Sequence, residues 1–176
     1  MMEDLSLHVL DIAENAVAAG ATRVRIAVNE NERADVLTLR VTDNGRGMSP
    51  EESERALDPF FTTGRKRTGL GLPLLAQTAS LSGGRLTIGS EPGVGTRIVA
   101  RFQFSHTDRP PLTKMAETMM ALIFGHPGID FGFRYTRNGC RFSFLRRGRS
   151  GGAVLPAEIA EIRYVLRSGL RRIGAS

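Results

Sequence analysis

The chain carries one cysteine, Cys140, in 176 residues. A single thiol excludes an internal disulfide framework and any metal site built from several cysteines. Tryptophan is absent and aromatic residues make up only 6% of the chain. The aromatic interleaving of nucleic-acid readers is therefore missing, and with no RNA- or DNA-binding motif present, nucleic acid is not an expected partner. No apolar run approaches the roughly 18 residues that a membrane helix needs. The N-terminus opens acidic, with Glu3 and Asp4, rather than with the basic start of a signal peptide. A cytoplasmic location is the default expectation. The three histidines, His8, His106 and His126, have no partner at metal-ligand spacing.

What is present is the composition of a globular protein, 41% hydrophobic and 24% charged. The net charge of +6 is unevenly spread: residues 1–106 hold 12 basic and 13 acidic side chains, and residues 107–176 hold 12 basic and 5 acidic. Such a basic tail suits either a solvated arginine face or the docking of an acidic partner.

Periodicity outlines the elements. Residues 4–19 have helical spacing, with Gly20 as C-cap. Residues 21–28 and 36–42 read as strands joined by a polar loop. Ser49-Pro50-Glu51-Glu52 opens a short helix, with Ser49 as N-cap, proline in the first turn and acids at the positive dipole end. A Gly- and Thr-rich irregular stretch precedes a helix over 73–81, and residues 85–90 and 95–104 form two more strands. After a linker at 108–111 come a helix at 112–124, a hairpin turning at Asn138-Gly139, and a helix at 156–173 with an arginine stripe, Arg163, Arg167 and Arg171. The hairpin has too little core to stand alone and should pack on something. Met115, Met119 and Met120 are expected in the core, and Cys140 as a small buried apolar side chain.

Three clusters carry chemistry. The strand ending at Asp43 breaks into "DNGRGM", where a carboxylate is followed by Gly45 and Gly47. A carboxylate accepts hydrogen bonds and suits an exocyclic amine such as that of adenine, while the glycines permit close approach of a flat ligand to the backbone. Asp11 and Asn15 lie four apart on one helix face, where hard oxygens can hold Mg²⁺ and an acid can orient a hydroxyl. Glu14 is expected to face elsewhere. Gly69-Leu70-Gly71 opens a helix, an arrangement whose amides receive anions, and Arg65, Lys66 and Arg67 precede it.

The order "DIAEN", "DNGRGM", "DPFFTT", "GLGLPL" and "GVGT" resembles the N, first glycine, F and second glycine boxes of the GHKL (Bergerat-fold) ATPases. That family includes histidine kinase catalytic domains, gyrase B, MutL and the anti-sigma-factor kinases. The likeness covers about residues 5–104 and is strongest to the ATP-binding domain of sensor histidine kinases. The whole chain is also similar to small stand-alone ATP-binding proteins of anaerobic bacteria encoded near iron-only hydrogenases. The resemblance implies that Asn15 coordinates Mg²⁺ and that Asp43 binds the adenine amine directly and through a water shared with Thr96. It further implies that Gly45 and Gly47 admit the base and that Phe60 or Phe61 anchors a lid. Lys66 would reach phosphate oxygens, and Gly69, Leu70 and Gly71 would supply amides and a hinge. Asp11 stands where several members carry glutamate, one methylene longer, so fast hydrolysis does not follow from the motif. A helical hairpin with a phosphoacceptor histidine is not found ahead of residue 5, and His8 lies inside the first helix.

The expected fold is an α/β two-layer sandwich over residues 1–106, a mixed sheet with helices on one face. A small basic α-β-β-α module, residues 107–176, completes the chain. The expected function is Mg²⁺-dependent ATP binding with phosphoryl transfer to a partner protein, Asp11 being the catalytic acid. One alternative is a nucleotide-gated binding module without chemistry; another is DNA-associated action of the MutL kind, which predicts DNA-stimulated hydrolysis. A homodimer is left open.

Overall fold

The computed structural model describes residues 4–58, 71–149 and 154–175. Five helices and six strands follow in the order α1 (Leu5–Ala18), β1 (Arg23–Asn31), β2 (Val36–Asp43), α2 (Pro50–Arg55), α3 (Gly71–Leu81), β3 (Arg85–Glu91), β4 (Gly95–Gln103), α4 (Met115–Gly125), β5 (Asp130–Arg137), β6 (Cys140–Arg146) and α5 (Pro156–Arg172). The strands form one sheet in the order β3-β4-β2-β1-β5-β6. Every neighbouring pair is antiparallel except β1 and β5, which run parallel. This is the mixed sheet with helices on one face that the motifs imply.

Alternation explains which side is covered. In β1 and β2, Val24, Ile26, Val28, Leu37, Leu39 and Val41 are buried, while the residues between them are exposed or half-buried. α1 lays Leu5, Val9, Ile12, Ala13 and Ala16 on that apolar side. Met115, Met119 and Met120 of α4 are buried in the same cluster, as their spacing suggests.

The hairpin finds its support on β1. Its register places Val24 beside Phe131, Ile26 beside Phe133 and Val28 beside Tyr135. The Tyr135 hydroxyl donates to the buried Glu30 carboxylate at 2.8 Å, and Arg137 pairs with Glu30 and Glu32. Burial and the neighbouring Glu30 carboxylate push the Tyr135 hydroxyl well above its usual range. On β6, Phe142 packs so closely under Gly169 that a Cβ there would come within 2.1 Å of its ring.

Cys140 departs from expectation: it is exposed. It sits at the turn end of the edge strand β6, next to the Asn138-Gly139 turn, although it alternates in phase with Phe142 and Phe144. The fourth helix also begins at Met115, not at residue 112. Pro111 and Thr113 are committed elsewhere: the Pro111 carbonyl accepts from the Leu5 amide, and Thr113 donates its amide and hydroxyl to Asp4 at 3.0 and 2.7 Å.

Asp4 thus caps α1 through the Ser6 amide (2.9 Å) and ties the segment leading to α4 onto it. Burial pushes its carboxyl up, but the hydrogen bonds from Ser6 and Thr113 outweigh burial and hold it below the ordinary value. We expect Asp4→Ala to cost about 2 kcal/mol at neutral pH. A depressed folded-state pKa stabilises above the unfolded-state value and loses that contribution as pH falls through the folded one. The gap between parent and variant in urea melts should therefore narrow on acidification below about pH 4.

Candidate functional site

Asp43 is the last residue of β2, and the chain leaves the sheet immediately after it. Its Oδ1 accepts from the Gly45 amide at 2.8 Å. Burial raises its pKa above the ordinary aspartate value and prevails over the hydrogen bonds from the Gly45 and Thr96 backbones. Thr96, across on β4, has its hydroxyl 2.8 Å from that of Ser90, and Ser90 also accepts from the Met48 amide at 2.8 Å. A half-buried carboxylate thus stands at the end of an interior strand, beside Thr96 on the neighbouring β4 and with Ser90 one strand further on.

The loop that follows Asp43 is held from three sides. The Asn44 side chain accepts from the amides of Thr22 and Arg23 at 3.0 and 2.8 Å. The Arg46 amide donates to the Ala19 carbonyl just past α1, and the Arg46 carbonyl accepts from the Gly93 amide. Gly47 has φ +69°, and a Cβ there would lie 1.9 Å from the Glu91 carbonyl oxygen. Gly45 has the Ala19 carbonyl and the Asp43 carboxylate 3.0 Å from where its Cβ would be. The close approach that both glycines permit is, in this structure, an approach of the protein to itself. Asn44, Ser90 and the backbone of Ala19 escaped sequence reading because the partners that seat the loop lie 21 to 42 residues away in the chain.

On α1, Asp11 and Asn15 are exposed and share a face. Gly71, the first residue of α3, comes against both: a Cβ there would lie 3.2 Å from Asp11 Cβ, 3.7 Å from Asp11 Oδ2 and 3.9 Å from Asn15 Nδ2. Two segments 56 to 60 positions apart in the chain thus meet. Glu14 faces away, as expected, and its carboxylate meets His126 Nε2 at 2.9 Å beyond the end of α4. His8 is buried within α1. Phe60, Phe61, Lys66, Gly69 and Leu70 lie outside the described residues.

α1 links the two clusters. Asn15 lies four residues, about 6 Å of helix rise, before Ala19, whose carbonyl holds the loop after Asp43, and Asp11 lies about 12 Å before it. Among the described residues no group of three His, Cys, Asp or Glu side chains is placed to hold a metal by itself. The donor set does fit Mg²⁺ in its usual style, with one or two protein oxygens and the rest from phosphate and water. Asp11 and Asn15 offer such oxygens on an open surface.

Residues 3–106 match the family described as histidine kinase-, DNA gyrase B- and HSP90-like ATPases. The chain belongs to this ATPase family. Its curated relatives include the sensor protein kinase FleS of Pseudomonas aeruginosa, 44% identical over 88 residues that cover 50% of this chain and 22% of FleS. The sensor histidine kinase ZraS of Escherichia coli O157:H7 is 29% identical over 107 residues, 61% of this chain and 23% of ZraS. The chain thus spans under a quarter of the length of these kinases. Among solved structures, the ADP-complexed MutL ATPase domain of Aquifex aeolicus aligns over 96% of this chain and 70% of its own (TM-score 0.54, 18% identity). An N-terminal domain of a DNA repair protein aligns over 96% and 58% (TM-score 0.61, 16% identity). These two show a shared fold. No helix among the described residues is long and apolar enough to cross a membrane.

Three substitutions test how this ATPase-family site is held together. Gly47→Ala combines an unfavourable φ with a clash on the Glu91 backbone, whereas Gly93→Ala, at φ +77° with nothing within 4 Å, meets only the first penalty. Gly93→Ala should cost about 1 kcal/mol and Gly47→Ala clearly more, read as the difference in thermal midpoints. Asp43→Asn should stabilise the ligand-free protein at neutral pH, because it removes a carboxylate whose ionised form burial disfavours. The gain should grow as pH rises through the raised folded-state pKa and vanish below the ordinary aspartate range. A variant less stable than the parent at pH 7 would mean that the ionised carboxylate holds the loop.

Proposed function

We propose that this chain binds ATP with Mg²⁺ and passes the γ-phosphoryl group to a partner protein. The observation that carries the reading is the meeting of Asp11 and Asn15 with the first turn of α3, about 6 to 12 Å along α1 from the Ala19 carbonyl that seats the loop after the half-buried Asp43. That separation suits a nucleoside triphosphate lying along α1. Asp43 accepts a hydrogen bond from the adenine amine, and Thr96, through Ser90, shares the base end. The N-terminal end of α3 receives the phosphates through its amides and dipole. Asn15, with Asp11 beside it, would hold the Mg²⁺, which supplies neutralisation of phosphate charge in the transition state.

In the transfer, the acceptor's nucleophile bonds to the γ-phosphorus as the bond from that phosphorus to the β,γ-bridging oxygen breaks, leaving ADP. Asp11 orients the acceptor and takes its proton where that acceptor carries one. The sensor-kinase relatives support protein phosphorylation as the class of reaction. One feature favours a second reading, a nucleotide-gated module without transfer. Asp11 has a short reach, and the neighbouring longer acid, Glu14, is engaged with His126.

Incubation with γ-labelled ATP, alone and with candidate partners, separates the readings. Label on a protein supports transfer, ADP alone means hydrolysis, and neither, with ATP still bound, means a switch. Nucleotide binding itself is read from thermal stabilisation by ATP. It should need magnesium, should lose that dependence in Asn15→Ala, and should weaken at least tenfold in Asp43→Asn. Full ATP affinity in a folded Asp43→Asn protein would overturn the adenine assignment.

A further inference from the structure

The four larger helices and the less exposed half of every strand lie on one side of the sheet, and the other side is open among the described residues. Alternation places arginines on that open side. Arg85, Arg97 and Arg101 come from β3 and β4, Arg40 from β2, Arg23 and Arg25 from β1, and Arg134 and Arg141 from β5 and β6. All eight are exposed, and none forms an ion pair among the described residues. Six come from the part of the chain with almost no net charge, whose acids lie mostly off this face. Three acids, Glu91, Asp130 and Asp35, stand at its margin, and the last two are engaged by Gly148 and by Gln103 and Ser105.

The side chains between the arginines are short: Thr42 faces Arg25 and Arg97, Ala27 separates Arg40 from Arg134, and Thr136 neighbours Arg141. Arg25 lies flat along the surface, its guanidinium over Gly132, where a Cβ would come within 2.8 Å of Nη1. Arg85 and Arg101 stand directly opposite each other, a like-charge pair that costs stability unless an anion lies between them. A depression of about 430 Å³ opens at that corner, lined in part by both arginines and by Gly84.

We infer that this face docks the phosphate backbone of a DNA duplex without reading its sequence. Six strands span about 24 Å. Over that length a duplex carries about 14 phosphates, half of them on one side, which matches eight guanidiniums closely. Folded acidic proteins seldom present carboxylates at such density. A planar anionic bilayer would touch only part of the face, because a six-stranded sheet twists by about 100° from edge to edge. The lack of aromatics on the face excludes base stacking and leaves phosphate contact as the mode. Duplex RNA, which displays 2′-hydroxyls in its wide minor groove, is the competing polyanion that the test separates.

The test uses a fluorescein-labelled random 24-base-pair duplex and anisotropy titrations of the full chain between 50 and 200 mM salt. The parent should bind, with log Kd rising steeply against log salt. Arg40→Gln/Arg97→Gln/Arg101→Gln should weaken binding at least tenfold at 100 mM salt and lower the slope by about 3, each single substitution lowering it by about 0.9. Arg163→Gln/Arg171→Gln, on the exposed side of α5, should leave both unchanged. No binding at 50 mM salt, equal loss in the α5 variant, or preference for duplex RNA, poly-glutamate or phosphatidylglycerol vesicles would each overturn the inference. ATP-induced thermal stabilisation in the same samples shows that the variants are folded and reports on the nucleotide reading separately.

Discussion

The burial of one face of α1 against the sheet is the contact on which the rest of the molecule depends. Leu5, Val9, Ile12, Ala13 and Ala16 lose almost all contact with water, which at about 1.5 to 3 kcal/mol for each large apolar side chain offsets part of the cost of fixing the helix. Rotation about the helix axis is then settled, and with it the outward direction of Asp11 and Asn15. The same docking sets the level of Ala19, whose carbonyl receives the Arg46 amide and seats the loop after Asp43. A nonpolar contact thereby sets the spacing of polar groups that never touch each other.

A second constraint comes from what the site tolerates in order to exist. Asp43 is held partly buried with its ionised form disfavoured, and Gly47 occupies a conformation that other residues rarely adopt. The buried carboxylate does not serve the stability of an empty protein, whereas glycine meets that φ without strain. The hydrogen bonds around the loop, from Asn44, Ser90 and Arg46, make the arrangement persist in the absence of a nucleotide.

The C-terminal hairpin and α5 complete the sheet and the helical layer. Pairing of β5 with β1 converts what would be an exposed edge into an interior strand, and Tyr135 gives one oxygen of the buried Glu30 carboxylate a hydrogen bond while Arg137 stands 3.5 Å from the other. Arg137 bridges from Glu30 and Glu32 to the Gly174 carbonyl, so the far end of α5 is tied to the same point. The addition also widens the open face of the sheet by two strands, and Arg134 and Arg141 come with it.

Much of the site is legible in the order of the amino acids. The spacing of Asp11 and Asn15 puts them on one helical face whatever surrounds them, and alternation into Asp43 followed by two glycines marks a strand end that must turn sharply. These are local consequences of periods of 3.6 and 2 residues and of the φ range of glycine, so the amino-acid sequence by itself determined them. Tertiary structure decided everything that depends on contacts between distant segments. It chose β1 as the parallel partner of the hairpin, left Cys140 exposed at the turn end of an edge strand, and turned Glu14 to His126. It also collected arginines scattered from residue 23 to residue 141 onto one side of the sheet. The physical reason is that a strand states only which of its residues share a side, whereas the neighbours of that side are settled by how the whole chain buries its apolar surface.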